Sequence, residues 1–134
     1  MTSTFSRSVD MVKPERTGER DLTYSRWHRT LGDPYYMIDL DSVEWRSEKG
    51  IVAVIETARF EAMVYKKEFQ LKVLRELAER IGVPGFLVLY NDELTFFEVY
   101  DLLSAPEWSS CTKEVMNRDE YSYFIKNLGF EKTV

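Results

Sequence analysis

The sequence predicts an α/β domain, a mixed central sheet flanked by helices. Three observations lead there. Residues 36–58 read as two strand-like runs around a Ser47-Glu48-Lys49-Gly50 turn. Residues 66–81 carry an amphipathic helical pattern that Gly82 and Pro84 close. The run Gly85-Phe86-Leu87-Val88-Leu89-Tyr90 that follows is apolar throughout, as a strand covered on both faces would be.

Taken in order, residues 1–18 form a loosely ordered arm broken by Pro14 and Gly18. A first helix is expected over 19–31, because Tyr24, Trp27, His28 and Leu31 fall on one helical face and Gly32-Asp33-Pro34 ends it. Tyr24 and Trp27 are read as core. The hairpin strands cover 36–46 and 51–58, with 60–65 finishing the second strand and turning the corner. In the helix over 66–81, Phe69, Val73, Leu74, Leu77 and Ile81 make the apolar stripe. Strands follow at 85–90 and 94–100 around an Asn91-Asp92-Glu93 turn, and 104–112 is loop. The last helix is expected over 118–128, capped by Asn117 and stopped by Gly129.

A chain of 134 residues with 44% apolar side chains suits one domain, taken as 19–134. No run approaches the roughly 20 apolar residues of a membrane span. The polar start has no signal-peptide core. Cys111 is the single cysteine, which excludes an internal disulfide and a cysteine metal site. A cytoplasmic protein is expected. The net charge of −5 argues against nonspecific binding of nucleic acid. Residues 1–29 are mildly basic, however, with Arg7, Lys13, Arg16, Arg20, Arg26 and Arg29 against four acids. A basic arm beside an acidic site suits a polyanionic substrate.

The hairpin carries carboxylates where a buried strand would carry apolar residues. With a tight turn at 47–50, Asp41 lies opposite Glu56 and Asp39 opposite Ala58, so Asp39, Asp41 and Glu56 share one face. Like charges that close repel, and a cation between them relieves the repulsion. Clustered hard oxygens are what Mg²⁺ or Mn²⁺ prefers.

The order helix, acidic hairpin, helix, strand resembles the core of the PD-(D/E)XK nuclease superfamily, the restriction-endonuclease-like fold of Holliday junction resolvases and RecB-type nucleases. Over residues 19–100, Asp41 matches the family's Asp and Glu56-Thr57-Ala58 its Glu-x-Lys. Asp39 resembles an extra acid of some members, and Gln70 a glutamine that RecB-like members place near the metal. The resemblance implies an αβββαβ-type core and a Mg²⁺- or Mn²⁺-dependent nuclease hydrolysing DNA, structured or branched forms included. It implies Asp41, Glu56, the Thr57 carbonyl and Asp39 as the metal set. Arg20, Arg26, Arg29 and Lys67 are then nucleic-acid contacts, and a homodimer would match a two-fold symmetric substrate.

Position 58 departs from the pattern, with Ala where the family has the lysine that orients water and offsets charge on the phosphate. Three readings follow. The cation has migrated to Lys66, Lys67 or Arg59, with Lys66 preferred; or the protein is inactive and serves as a nucleic-acid-binding or protein-interaction module; or the resemblance misleads. With a migrated cation, Asp41, Glu56, Lys66 and Gln70 are the catalytic set. A third function, nucleotidyltransferase, rests on Asp39-Leu40-Asp41 as an Asp-x-Asp strand with Glu56 as third acid, although the Gly-Ser turn of that family is missing upstream.

Overall fold

The sheet is built around a strand whose middle is buried on both faces. The computed structural model describes residues 22–130, and the chain divides into two units, one ending at Met37 and one beginning at Ile38. Arg20 and the arm over 1–18 lie outside the described residues.

The first unit contains helix α1 (Thr23–Arg29), which is seven residues long, lacks a side-chain cap and buries no residue. The expected apolar face is present but packs on itself. The Tyr24 and Trp27 rings lie 5.4 Å apart, with Tyr24 62% and Trp27 53% exposed, so neither is core. So short a helix gains little from its own hydrogen bonds. The Thr30 hydroxyl donates to the Trp27 carbonyl, and Gly32 turns the chain at φ +78°.

The second unit opens with the hairpin, β1 (Ser42–Arg46) and β2 (Gly50–Ala58). The expected first strand, over 36–46, shortens from eleven residues to five: among the described residues no strand is assigned over 36–41. Gly50 sits at φ +80°, in the left-handed region, and pairs with Arg46. That turn alone would put the strands one residue out of the expected register. A bulge between Glu44 and Trp45 restores it, so that Ser42 faces Ile55.

The segment expected to finish β2 instead forms a short helix, α2 (Glu61–Tyr65), and α3 (Glu68–Ile81) follows it. Gly82 ends α3 at φ 76°, its N–H donating to the Ala78 carbonyl. Strand β3 (Gly85–Tyr90) runs parallel to β2, as a strand–helix–strand crossover permits. α3 lies close on the sheet at Gly85, where a Cβ would sit 3.1 Å from that of Ala78. β4 (Phe97–Asp101) and β5 (Lys113–Met116) add antiparallel neighbours, giving the order β1-β2-β3-β4-β5. Helix α4 (Arg118–Lys126) closes the unit behind a capping box of Asn117 and Glu120. The fold is therefore α/β, a five-stranded mixed sheet with flanking helices. Among the described residues two strands, not three, precede the crossover helix.

Alternation sorts the core onto two faces. Val54, Ala58, Leu87, Leu89 and Tyr100 pack with Val64 of α2 and Leu71, Leu74 and Ala78 of α3. Ile55, Val88, Phe97, Val99 and Met116 pack with Tyr121, Phe124 and Ile125 of α4. Val52 through Glu56 are all buried, and Glu56 is the one charged residue among them.

Candidate functional site

Glu56 belongs to the α3 face of β2, two residues from Val54 and two from Ala58. It is 3% exposed. A carboxylate so placed pays a large desolvation cost unless a counter-charge meets it. Lys67, between α2 and α3, supplies that charge. Its Nζ lies 2.9 Å from Glu56 Oε2, 3.0 Å from the Thr57 carbonyl oxygen and 3.4 Å from Asp41 Oδ2. Three oxygens from two segments thus converge on one ammonium.

Asp41 stands one residue before β1, where the β1–β2 ladder ends. Its Oδ2 accepts from the Thr57 N–H at 3.0 Å and from the Thr57 hydroxyl at 3.1 Å. The carboxylate satisfies a backbone donor that no further strand residue of β1 reaches, and in doing so it is fixed beside Glu56.

The three charges shape one another. Burial works against ionisation of Asp41, but the Thr57 N–H, the Lys67 ammonium and the Thr57 hydroxyl outweigh it and hold the carboxyl below its usual range. Burial dominates at Glu56. The Lys67 hydrogen bond offsets part of it, the Asp41 charge adds to it, and the carboxyl sits above its usual range. Lys67 is raised, because its bonds and charge pairing with Glu56 and Asp41 outweigh its own desolvation.

Two carboxylates and one ammonium leave an excess negative charge. Glu56 Oε1 is buried and has no hydrogen-bond partner among the described residues. An orphaned buried oxygen beside a second carboxylate and a backbone carbonyl is a hard-oxygen donor set, which fits a small divalent cation. The three-acid cluster expected from the sequence does not form. Asp39 is exposed, and among the described residues no three His, Cys, Asp or Glu side chains gather as metal ligands.

Of the cations weighed for the missing lysine, the structure brings Lys67 to the carboxylates. Lys66, the preferred candidate, is exposed, and Arg59 pairs with Asp92 at 2.9 Å. Lys67 is therefore part of the cluster. Gln70 follows Lys67 by one helical turn and is half-buried, but makes no hydrogen bond with Asp41, Glu56, Thr57 or Lys67. Arg26 and Arg29 are exposed on α1 in the first unit.

Ala58 explains why the cation arrives from elsewhere. It is 3% exposed and packs in the cluster that contains Val64 and Leu71. A lysine there would thread its charge through an apolar layer, whereas Lys67 reaches the same carboxylates from the end of α2.

No family model matches this sequence, and neither the curated proteins nor the solved structures include a match to it. No described helix is long and apolar enough to cross a membrane.

Proposed function

We propose that this chain is a divalent-metal-dependent nuclease of the restriction-endonuclease-like kind, acting on DNA, with Asp41, Glu56 and Lys67 as its central residues. The observation that carries this reading is the convergence of Glu56 Oε2, Asp41 Oδ2 and the Thr57 carbonyl on the Lys67 ammonium. It groups two acids and a lysine of the kind the resemblance implies, the lysine coming from between α2 and α3 where position 58 of β2 holds Ala.

Hydrolysis joins a water oxygen to phosphorus and breaks the bond to one sugar oxygen, which leaves carrying a proton. Asp41, Glu56 and the Thr57 carbonyl would hold a divalent ion, which would supply Lewis acidity at the phosphate and lower the pKa of a nearby water. Thr57 holds Asp41 ionised and oriented through two hydrogen bonds. Glu56 presents a carboxylate from a water-poor strand, where its charge acts at low dielectric. Lys67, once released from the carboxylate oxygens, orients the attacking water and offsets charge on the phosphoryl oxygens.

The test is cleavage of supercoiled, single-stranded and junction DNA with Mg²⁺ or Mn²⁺. Asp41→Ala, Glu56→Gln and Lys67→Met should each lose about 100-fold or more, and Lys66→Met should stay near the wild-type rate. Cutting that survives Asp41→Ala, or loss at Lys66 in place of Lys67, would end this assignment. A second reading has its own observation. The ammonium already takes the three oxygens a metal would use, as a non-catalytic module of the same fold would have it.

A further inference from the structure

A second feature opens at the ends of the parallel strands β2 and β3. It is a cleft of about 280 Å³ whose lining includes Arg59, Phe60, Glu61, Tyr90, Phe96 and Glu98. Arg59 and Phe60 directly follow β2, so the cleft begins three residues beyond Glu56, about 10 Å at ~3.3 Å per residue. Phe60 is 58% and Phe96 44% exposed. Exposed aromatic rings occur elsewhere among the described residues, Trp45, Tyr65 and Tyr123 included; what sets Phe96 apart is the loop between β3 and β4 that holds it.

That loop is built to present Phe96. Asn91 Oδ1 accepts from the Thr95 and Phe96 N–H groups at 2.9 and 3.1 Å, and its Nδ2 donates to the Thr95 hydroxyl at 3.0 Å. Arg118 of α4 donates to the Leu94 carbonyl at 2.8 Å and to that of Glu93. Leu94 takes φ 59°, the one described non-glycine residue with positive φ. An aliphatic side chain there costs energy that the surrounding bonds offset. The expected strand over 94–100 starts only at Phe97 for this reason.

The geometry points to this cleft as the seat of one unpaired nucleobase of the substrate, a base that offers an amino group, with its phosphate directed toward Asp41, Glu56 and Lys67. The inference rests on the nuclease reading and narrows its substrate to DNA with a single-stranded nucleotide at the cut. Size is the first reason: at about 280 Å³ the cleft lies just below the ~300–1,000 Å³ range of small-molecule sites and is too small for a helix or a duplex. The lining includes Phe60 and Phe96, exposed aromatic side chains of the type on which bases stack. Charge gives the orientation. Glu61 repels a phosphate but can accept from the amino group of cytosine, adenine or guanine, and Glu98, paired with Lys113 at 3.5 Å, can accept from the same group by exchanging that partner. Arg59, whose partner Asp92 is exposed, can exchange that pairing for a phosphate. Thymine carries no amino group and fits less well.

The experiment uses the full chain in EDTA, so that binding is read without cleavage. Fluorescence anisotropy compares labelled oligo-dC, oligo-dT and a blunt duplex, and amide NMR shifts are followed during titration with cytidine 5′-monophosphate. Oligo-dC should bind tightest, and shifts should concentrate at Arg59, Phe60 and Phe96. Phe60→Ala and Phe96→Ala should each weaken oligo-dC binding about 10-fold, within the range measured for base–aromatic stacking. Phe60→Leu keeps apolar bulk and should weaken binding with an unchanged melting temperature. Equal binding of oligo-dC and duplex, or oligo-dC binding indifferent to all three variants, would overturn the cleft even where Lys67-dependent cleavage is found. Shifts and losses at the cleft without any metal-dependent cleavage would uphold base binding and remove the nuclease reading instead.

Discussion

Lys67 is the residue on which the site turns, and its removal separates stability from chemistry. Lys67→Met leaves Glu56 buried beside Asp41 without a counter-charge. Breaking one partner of a buried pair costs about 3–5 kcal/mol, and the partial exposure of Lys67 puts this case nearer 2–3 kcal/mol. The double variant Glu56→Gln/Lys67→Met should recover most of the loss by removing the stranded charge, as denaturant unfolding of the four proteins in the cycle will measure. Sign and pH window follow from the same contacts. Lys67 is raised, so its contribution is complete below about pH 10.4 and fades as pH climbs through its folded value. Asp41 is lowered, so its contribution is complete above about pH 3.9 and fades as pH falls through its folded value. Glu56 is raised and acts in reverse: its burial costs stability at neutral pH, and the cost is relieved as acid protonates it. The wild type should therefore lose stability above pH 10 more steeply than Lys67→Met. Equal alkaline slopes in the two proteins would mean that the ammonium does not hold the carboxylates in solution. At Leu94 the expectation is opposite in sign. Leu94→Gly should gain about 1 kcal/mol by relieving the left-handed backbone, while loosening the loop that carries Phe96.

At the scale of elements, the crossover unit tests how closely the helix layer meets the sheet. Gly85 admits α3 to the sheet because it has no Cβ, and Gly85→Val would drive two further methyl groups at Ala78 and Leu74. Overpacking of this kind costs about 1–3 kcal/mol, readable as a lower denaturation midpoint with an unchanged slope. The caps predict more gently: Asn117→Ala removes the bond to the Glu120 N–H and should cost about 1 kcal/mol. The hairpin, the crossover helix, β3 and α4 are legible in the sequence because their periodicities are strong and their stops are Gly or Asn. The phase of α3 is legible only in part: of the expected stripe Phe69, Val73, Leu74, Leu77 and Ile81, Leu74 is buried and Leu77 packs against the core, while Phe69 and Ile81 are exposed and Leu71 and Ala78 join Leu74 on the buried face. Lys67 lies just ahead of Leu71 on that buried face, one helical turn away. Lys66, 100° around, does not. Strand β5 leaves no trace because it is an edge strand with only Met116 buried, and its charges obscure any alternation. The pairing of Asp41 with Glu56 was legible only because two irregularities cancel, the Gly50 turn and the Glu44–Trp45 bulge.

For the whole molecule, the question is how a chain of net charge −5 would approach a polyanion. Electrostatic steering favours a basic surface, so an attraction would be local, with Arg59 at the cleft one source and a divalent ion held at Asp41 and Glu56 a second. Such an ion would compete with the Lys67 ammonium for the same oxygens, and the competition is measurable without any substrate. A ligand that binds only the folded state stabilises it by about 2.7 kcal/mol at a hundredfold excess over its dissociation constant. Mn²⁺ should therefore raise the melting temperature of the wild type, and Na⁺ at equal ionic strength should not. Asp41→Asn and Glu56→Gln should abolish the shift by removing donor oxygens. Lys67→Met should enlarge it, because the ion no longer has to displace an ammonium from Glu56 Oε2 and the Thr57 carbonyl. A larger shift in Lys67→Met than in wild type, coupled to loss of cleavage, would place the ammonium as a movable participant in the chemistry. No shift in either protein would leave Lys67 as a permanent substitute for the metal, and the fold as a binding module whose acids serve only to seat that lysine.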